Sequence, residues 1–140
     1  MFKRNLGLIA ALAISALAFA LPVQAADWSI DGNLRGNCGT VASTGNGSAD
    51  TATLNNKCGV VTTESLTNPA SSEFTLTLTN STAALGDLTM VSVGNGTNTT
   101  GLASLERVTT TANTIVVVVR TMTSAAYNGT LLIKYFNIKQ

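Results

Sequence analysis

From residue 26 onward, no window of eleven residues repeats its apolar side chains with the period of a helix. Short alternating runs bounded by Gly, Asn and Ser fill the chain instead. Alternation at a period of two sends successive side chains to opposite faces, so each run reads as a strand with one apolar side. All 22 threonines fall in this part of the chain. Threonine suits a strand because its methyl packs on a pleated surface, while the many Asn and Gly residues supply turns.

The runs predict the strands one by one. Trp28, Ile30, Gly32 and Leu34 alternate with Ser29, Asp31, Asn33 and Arg35. Val60 and Val61 begin a segment after Cys58 that ends before the Asn68-Pro69 turn. Phe74, Leu76 and Leu78 alternate with threonines, the cleanest period of two in the chain, and Leu88 to Val93 is apolar on both phases. Leu102 to Val108 is a weaker run. Ile115 to Val119 is five β-branched residues in a row, the pattern of a strand covered on both sides. Leu131 to Ile138 closes the chain after the Asn128-Gly129 turn. About seven strands at this spacing predict an all-β protein, an immunoglobulin-like antiparallel β-sandwich. A threonine-rich β-solenoid with an ice-binding face is the competitor. Its coils need a fixed interval, and the Thr-x-Thr units at Thr51, Thr75, Thr77 and Thr121 have none.

Residues 1–25 read as a cleaved secretory signal peptide. Lys3-Arg4 is the positive start, Leu6 to Leu21 an uncharged apolar run, and Val23-Gln24-Ala25 presents small residues for cleavage. The run is shorter than the roughly 20 residues that span a bilayer, and no later segment is long and apolar enough to do so. The expected organisation is therefore residues 1–25 as leader, 26–36 as an N-terminal strand and 37–140 as one sandwich domain. Export to an oxidising compartment makes a Cys38–Cys58 disulfide the default for the only two cysteines.

Composition excludes much chemistry. Past the leader, six basic residues face seven acidic ones, which argues against nucleic acid and anionic lipid as partners. Histidine is absent, so serine and threonine nucleophiles lack their usual base, and no Ser-x-x-Lys pattern replaces it. Asp27, Asp31, Asp50, Glu64, Glu73, Asp87 and Glu106 fall in turns or on polar phases, which reads as solvated charge rather than a glycosidase pair. Gly94-Asn95-Gly96-Thr97 has no lysine and opens no helix, so it is a turn and not a phosphate cradle. No Asp-x-Asp-x-Asp series marks a calcium loop. No catalytic residue, metal or cofactor is expected.

Three stretches carry a resemblance. Trp28-Ser-Ile-Asp-Gly32-Asn-Leu-Arg-Gly-Asn-Cys38 is similar to the aromatic-x-Gly pattern followed by cysteine near the start of chaperone–usher fimbrial subunits. Phe74-Thr-Leu76-Thr-Leu78-Thr-Asn80 is similar to their alternating strand, and Tyr127-Asn-Gly129-Thr-Leu-Leu-Ile-Lys-Tyr135 to their closing strand. In those subunits the second cysteine usually stands where this chain has Asn80. The resemblance implies an incomplete sandwich completed by the N-terminal strand of the next copy. Trp28, Ile30, Gly32 and Leu34 are then the candidate donor strand. It further implies a homopolymer on the bacterial surface, built with a periplasmic chaperone and an outer-membrane assembly protein. The alternative expectation is a monomeric secreted or surface β-sandwich, a binding module or adhesin that recognises its partner through loops at residues 39–57 and 94–101.

Overall fold

The computed structural model describes residues 38–122 and 124–140. The expected leader and the candidate donor strand Trp28, Ile30, Gly32 and Leu34 lie outside the described residues.

The described chain is all β. Its strands are β1 (Gly39–Ala42), β2 (Thr44–Gly45), β3 (Ala49–Thr53), β4 (Cys58–Thr62), β5 (Glu73–Thr79), β6 (Leu88–Asn95), β7 (Ala103–Thr111), β8 (Thr114–Thr121) and β9 (Leu131–Ile138). They form two sheets, a four-stranded one ordered β1-β4-β9-β6 and a five-stranded one ordered β2-β3-β5-β8-β7. The sheets face one another as a sandwich, as the alternation predicts.

The core follows from parity. Phe74, Leu76 and Leu78 of β5 pair with Val119, Val117 and Ile115 of β8, and all six are buried. From the other sheet Val61 of β4 and Leu131, Ile133 and Tyr135 of β9 pack against them. Leu66 and Tyr127, from loops, fill the ends. The β-branched run of β8 is covered on its second phase too, since Val118 is buried and Val116 half-buried.

Six of the runs named above become β4 to β9, most ends shifting by a residue or two, while β4 stops at Thr62, well short of the Asn68-Pro69 turn, and β7 continues three residues past Val108. Residues 39–57 differ from expectation. This stretch is not a polar loop but folds as β1, β2 and β3. Two of its pairings are parallel, β1 with β4 and β3 with β5, in a sandwich otherwise antiparallel. The reason is a strand that changes sheet: β1 belongs to one layer and β2, a single residue later, to the other. Ser43 sits at the crossing, and its hydroxyl donates to the buried carboxylate of Asp50. That carboxylate also accepts from the Glu64 N–H, and Glu64 in turn accepts from the Gly47 N–H at 2.6 Å. Buried polar atoms thus hold together a segment with few apolar ones.

Cys38 and Cys58 are joined, with Cα atoms 4.6 Å apart. The parallel register Gly39↔Gly59 places the cysteines side by side at the mouth of the β1–β4 pair. A disulfide of this kind fits an oxidising, extracytoplasmic location. At the same end, Tyr135 packs over Gly59, where a Cβ would press on its ring and on Leu54. The Tyr135 hydroxyl accepts from Asn80 Nδ2 at 3.2 Å and donates to the Asn56 carbonyl at 3.0 Å. Asn80 also reaches that carbonyl, at 2.8 Å. Asn80, the residue just past β5, therefore ties the end of that strand to β9 by hydrogen bonds. Burial pushes the Tyr135 phenol up to about 12, against the lowering effect of the Asn80 contact.

Two outcomes follow for stability. Cys58→Ser, or reduction of the wild type, is expected to cost about 2–4 kcal/mol by the loop-closure argument, read from urea unfolding with and without reductant. Tyr135 has its folded pKa above its unfolded value. The stability it contributes is complete below pH about 10 and is lost as pH rises towards about 12. Tyr135→Phe should cost about 1 kcal/mol at neutral pH. In thermal melts across the alkaline range it should also show a shallower decline than wild type.

Candidate functional site

A sandwich has two flanks, and in this one they differ. On one flank the chain itself runs from β1 into β2, so the two edge strands are a single crossing segment. On the other flank the edges are β6 and β7, which lie side by side. Each has a ladder on one side only, β6 with β9 and β7 with β8, and among the described residues none joins β6 to β7.

This seam is pinned at its ends. At one end Thr110 Oγ1 donates to Thr89 Oγ1 at 2.7 Å, and Thr89 passes its own proton to Asn137 Oδ1 at 2.8 Å. Asn137 Nδ2 then donates to Asp87 Oδ2, which also receives the Ala84 N–H and pairs with Lys139 Nζ at 3.0 Å. Desolvation alone would raise the Asp87 carboxyl, but these donors hold it below the usual carboxylate range. At the other end the loop from Gly96 to Leu102 is held by Asn98, which is buried. Its Nδ2 donates to the Gly101 carbonyl at 2.7 Å and its Oδ1 accepts from the Asn128 N–H at 3.0 Å. The expected recognition loop at residues 94–101 is thus the end of a strand plus a tightly bonded turn.

Between these ends the seam is apolar and only partly covered. Val91 and Val93 of β6 and Ala103 and Val108 of β7 pack on the core while remaining half-buried. Leu105 of β7 is 37% exposed, and Leu102 just before β7 and Met122 just after β8 are more so. The opposite side of β6 is apolar as well. Leu88 and Met90 are 51% and 59% exposed and sit across from Ile138 and Phe136 of β9. An edge strand with apolar side chains on both faces is a ready template for pairing with another chain.

β7 carries some protection of its own edge. Its register shifts between Leu105 and Arg107, leaving Glu106 as the extra residue of a bulge. Glu106 accepts from Arg120 Nε at 2.8 Å, and Arg120 reaches Glu73 as well. The hydrogen bond to Arg120 holds the Glu106 carboxyl below its ordinary range and raises the guanidinium in turn. No side chain of β6 is charged.

Of the sequence-derived site residues, Cys38 and Cys58 are brought together as expected, far from this seam in the strand order. The donor-strand residues Trp28, Ile30, Gly32 and Leu34 lie outside the described residues. The seam itself was not anticipated. Its one sequence signal is the Leu88–Val93 run, apolar on both phases, which an interior strand or an unguarded edge satisfies equally well. Among the described residues no three Asp, Glu or Cys side chains gather to hold a metal ion, and no helix is long and apolar enough to cross a membrane. Comparison with models of protein families, with curated proteins and with solved structures finds no match to this chain.

Proposed function

We propose that this chain is a structural subunit of an extracellular bacterial fibre. It is exported by its leader and polymerises when residues 28–34 of one copy add a strand to the sandwich of the next. The observation that carries the reading is the open β6–β7 seam: two neighbouring edges without a ladder, half-buried valines between them, and no charge on β6. A donated strand gains affinity from main-chain hydrogen bonds to such an edge and specificity from alternate side chains laid into the apolar groove. Trp28, Ile30 and Leu34 have that alternation, and Gly32 allows close backbone approach. Each large apolar side chain fully buried there contributes about 1.5–3 kcal/mol. The absence of charge on β6 leaves nothing to repel the incoming strand.

Deleting residues 26–34 is the direct test. The shortened chain should keep the circular dichroism and the cooperative melt of a folded domain while losing assembly. Native material sheared from cells should run as a ladder of multiples on an unboiled, non-reducing denaturing gel and collapse to the monomer on boiling. A deletion variant that does not fold, or a single monomer band under both gel conditions, overturns the reading.

A further inference from the structure

The outward side of the five-stranded sheet is a plane of threonine. Thr51 and Thr53 of β3 lie in register with Thr77 and Thr79 of β5. The first row runs from Thr77 on to Val116 of β8 and Thr109 of β7, and the second from Thr79 to Thr114 and Thr111. Thr44 of β2 extends the first row at the sheet edge. A third row beside them runs from Ala49 and Thr75 to Val118, which is buried, and on to Arg107 of β7. Nine of these thirteen positions are threonine, and Arg107 at the border is the one charged residue. Charge begins only at Arg107 and the Glu73–Arg120–Glu106 cluster, on one border.

Threonine abundance does not produce this by itself. The outward side of the four-stranded sheet carries Leu88, Met90, Val60, Lys134 and Phe136, and only Thr40 and Thr62 among its paired positions. Strand propensity does not single out threonine either, since Val, Ile, Tyr, Phe and Trp share it. The Thr51 hydroxyl donates to the Thr44 carbonyl, but most of the others are unspent. Among the described residues no hydrogen bond engages those of Thr75, Thr77, Thr79, Thr109, Thr111 or Thr114.

We infer that this face binds ice. Threonines in register on a sheet repeat at roughly 4.8 Å between strands and roughly 6.7 Å between alternate residues. Both spacings lie near oxygen repeats on the prism face of hexagonal ice. Each position offers a hydroxyl that can join a water lattice and a methyl around which water orders. The first two rows are neutral, as ice is; a lysine or glutamate there would keep a hydration shell of its own in the contact. Sheet twist of roughly 20° per strand confines a flat match to neighbouring central strands. Thr51, Thr53, Thr75, Thr77 and Thr79 occupy such a pair, β3 and β5, with Thr77 in the middle. The fixed interval that a solenoid takes from its repeating coil is supplied here by pairing of strands distant in sequence. The inference is independent of polymerisation, because strand addition engages edges and leaves this face uncovered.

The test uses the exported chain, as monomer and as assembled material, with single ice crystals held just below their melting point. Faceted growth and a gap between melting and freezing are expected for wild type. Thr77→Tyr should lose both while melting like wild type. Thr40→Tyr, on the outward side of the other sheet, should lose neither. Wild-type crystals that grow as in an inert carrier protein overturn the inference. So does full activity in Thr77→Tyr, equal loss in Thr40→Tyr, or retention on crystalline cellulose without any effect on ice.

Discussion

A strand can bury only every second residue, and the pairing of β5 with β8 turns that constraint into the whole molecule. Phe74, Leu76 and Leu78 meet Val119, Val117 and Ile115 on the inside of the sheet, so Thr75, Thr77 and Thr79 must stand outside. A slip of one residue would drive three hydroxyls into the core and expose three large apolar side chains. Each misplaced hydroxyl without a partner costs about 1–3 kcal/mol, so the register has no near competitor. β3 then reads its own register from β5 and β7 from β8, and the outward rows line up as a consequence of what happens inside.

That inner constraint is why β5, β8 and β9 were legible in the sequence. Their apolar residues report burial directly, and burial fixes phase. β1 to β3 were not legible for the complementary reason. Val41, Ala52, Leu54 and little else in residues 39–57 have apolar surface to bury, and they do not alternate as one run, so no local pattern announces a strand. Their structure comes from distant groups: the crosslink to Cys58, the parallel ladder to β4, and Asp50, a carboxylate buried beside Ser43. A buried acid in a Gly- and Ser-rich stretch looks like solvated charge until its partners are known. The same limit applies to the seam. Whether Leu88 to Val93 is an interior strand or an edge is a property of topology, and topology depends on β9 pairing back between β4 and β6.

The two flanks of the sandwich show how differently an edge can be managed. Where β1 becomes β2, chain continuity closes the flank and the polar contacts of Ser43, Asp50 and Glu64 hold it. Where β6 meets β7, closure rests on side chains at the ends, the Thr110–Thr89–Asn137–Asp87 series and the Asn98 turn. Between them the valines are only half covered. A bulge and an ion cluster guard part of β7, yet β6 has neither. Edges in monomeric proteins are usually blunted by charge or proline, so an unguarded apolar one calls for a partner.

Edge and face are orthogonal resources in a sheet, and this chain spends its few charges accordingly. Main-chain groups at an edge point along the plane of the sheet, whereas outward side chains stand perpendicular to it. A strand added at β6 therefore lengthens the four-stranded sheet sideways and leaves the threonine rows of the other sheet open. Under the proposed polymerisation, each added subunit would present its own threonine rows. A flat contact that one domain makes weakly gains from that repetition, because each further engagement is intramolecular once the first has formed. Uncharged threonine is well suited to such a surface. It keeps the face wetted through its hydroxyl, and its branched Cβ holds each rotamer fixed for contact with a rigid lattice.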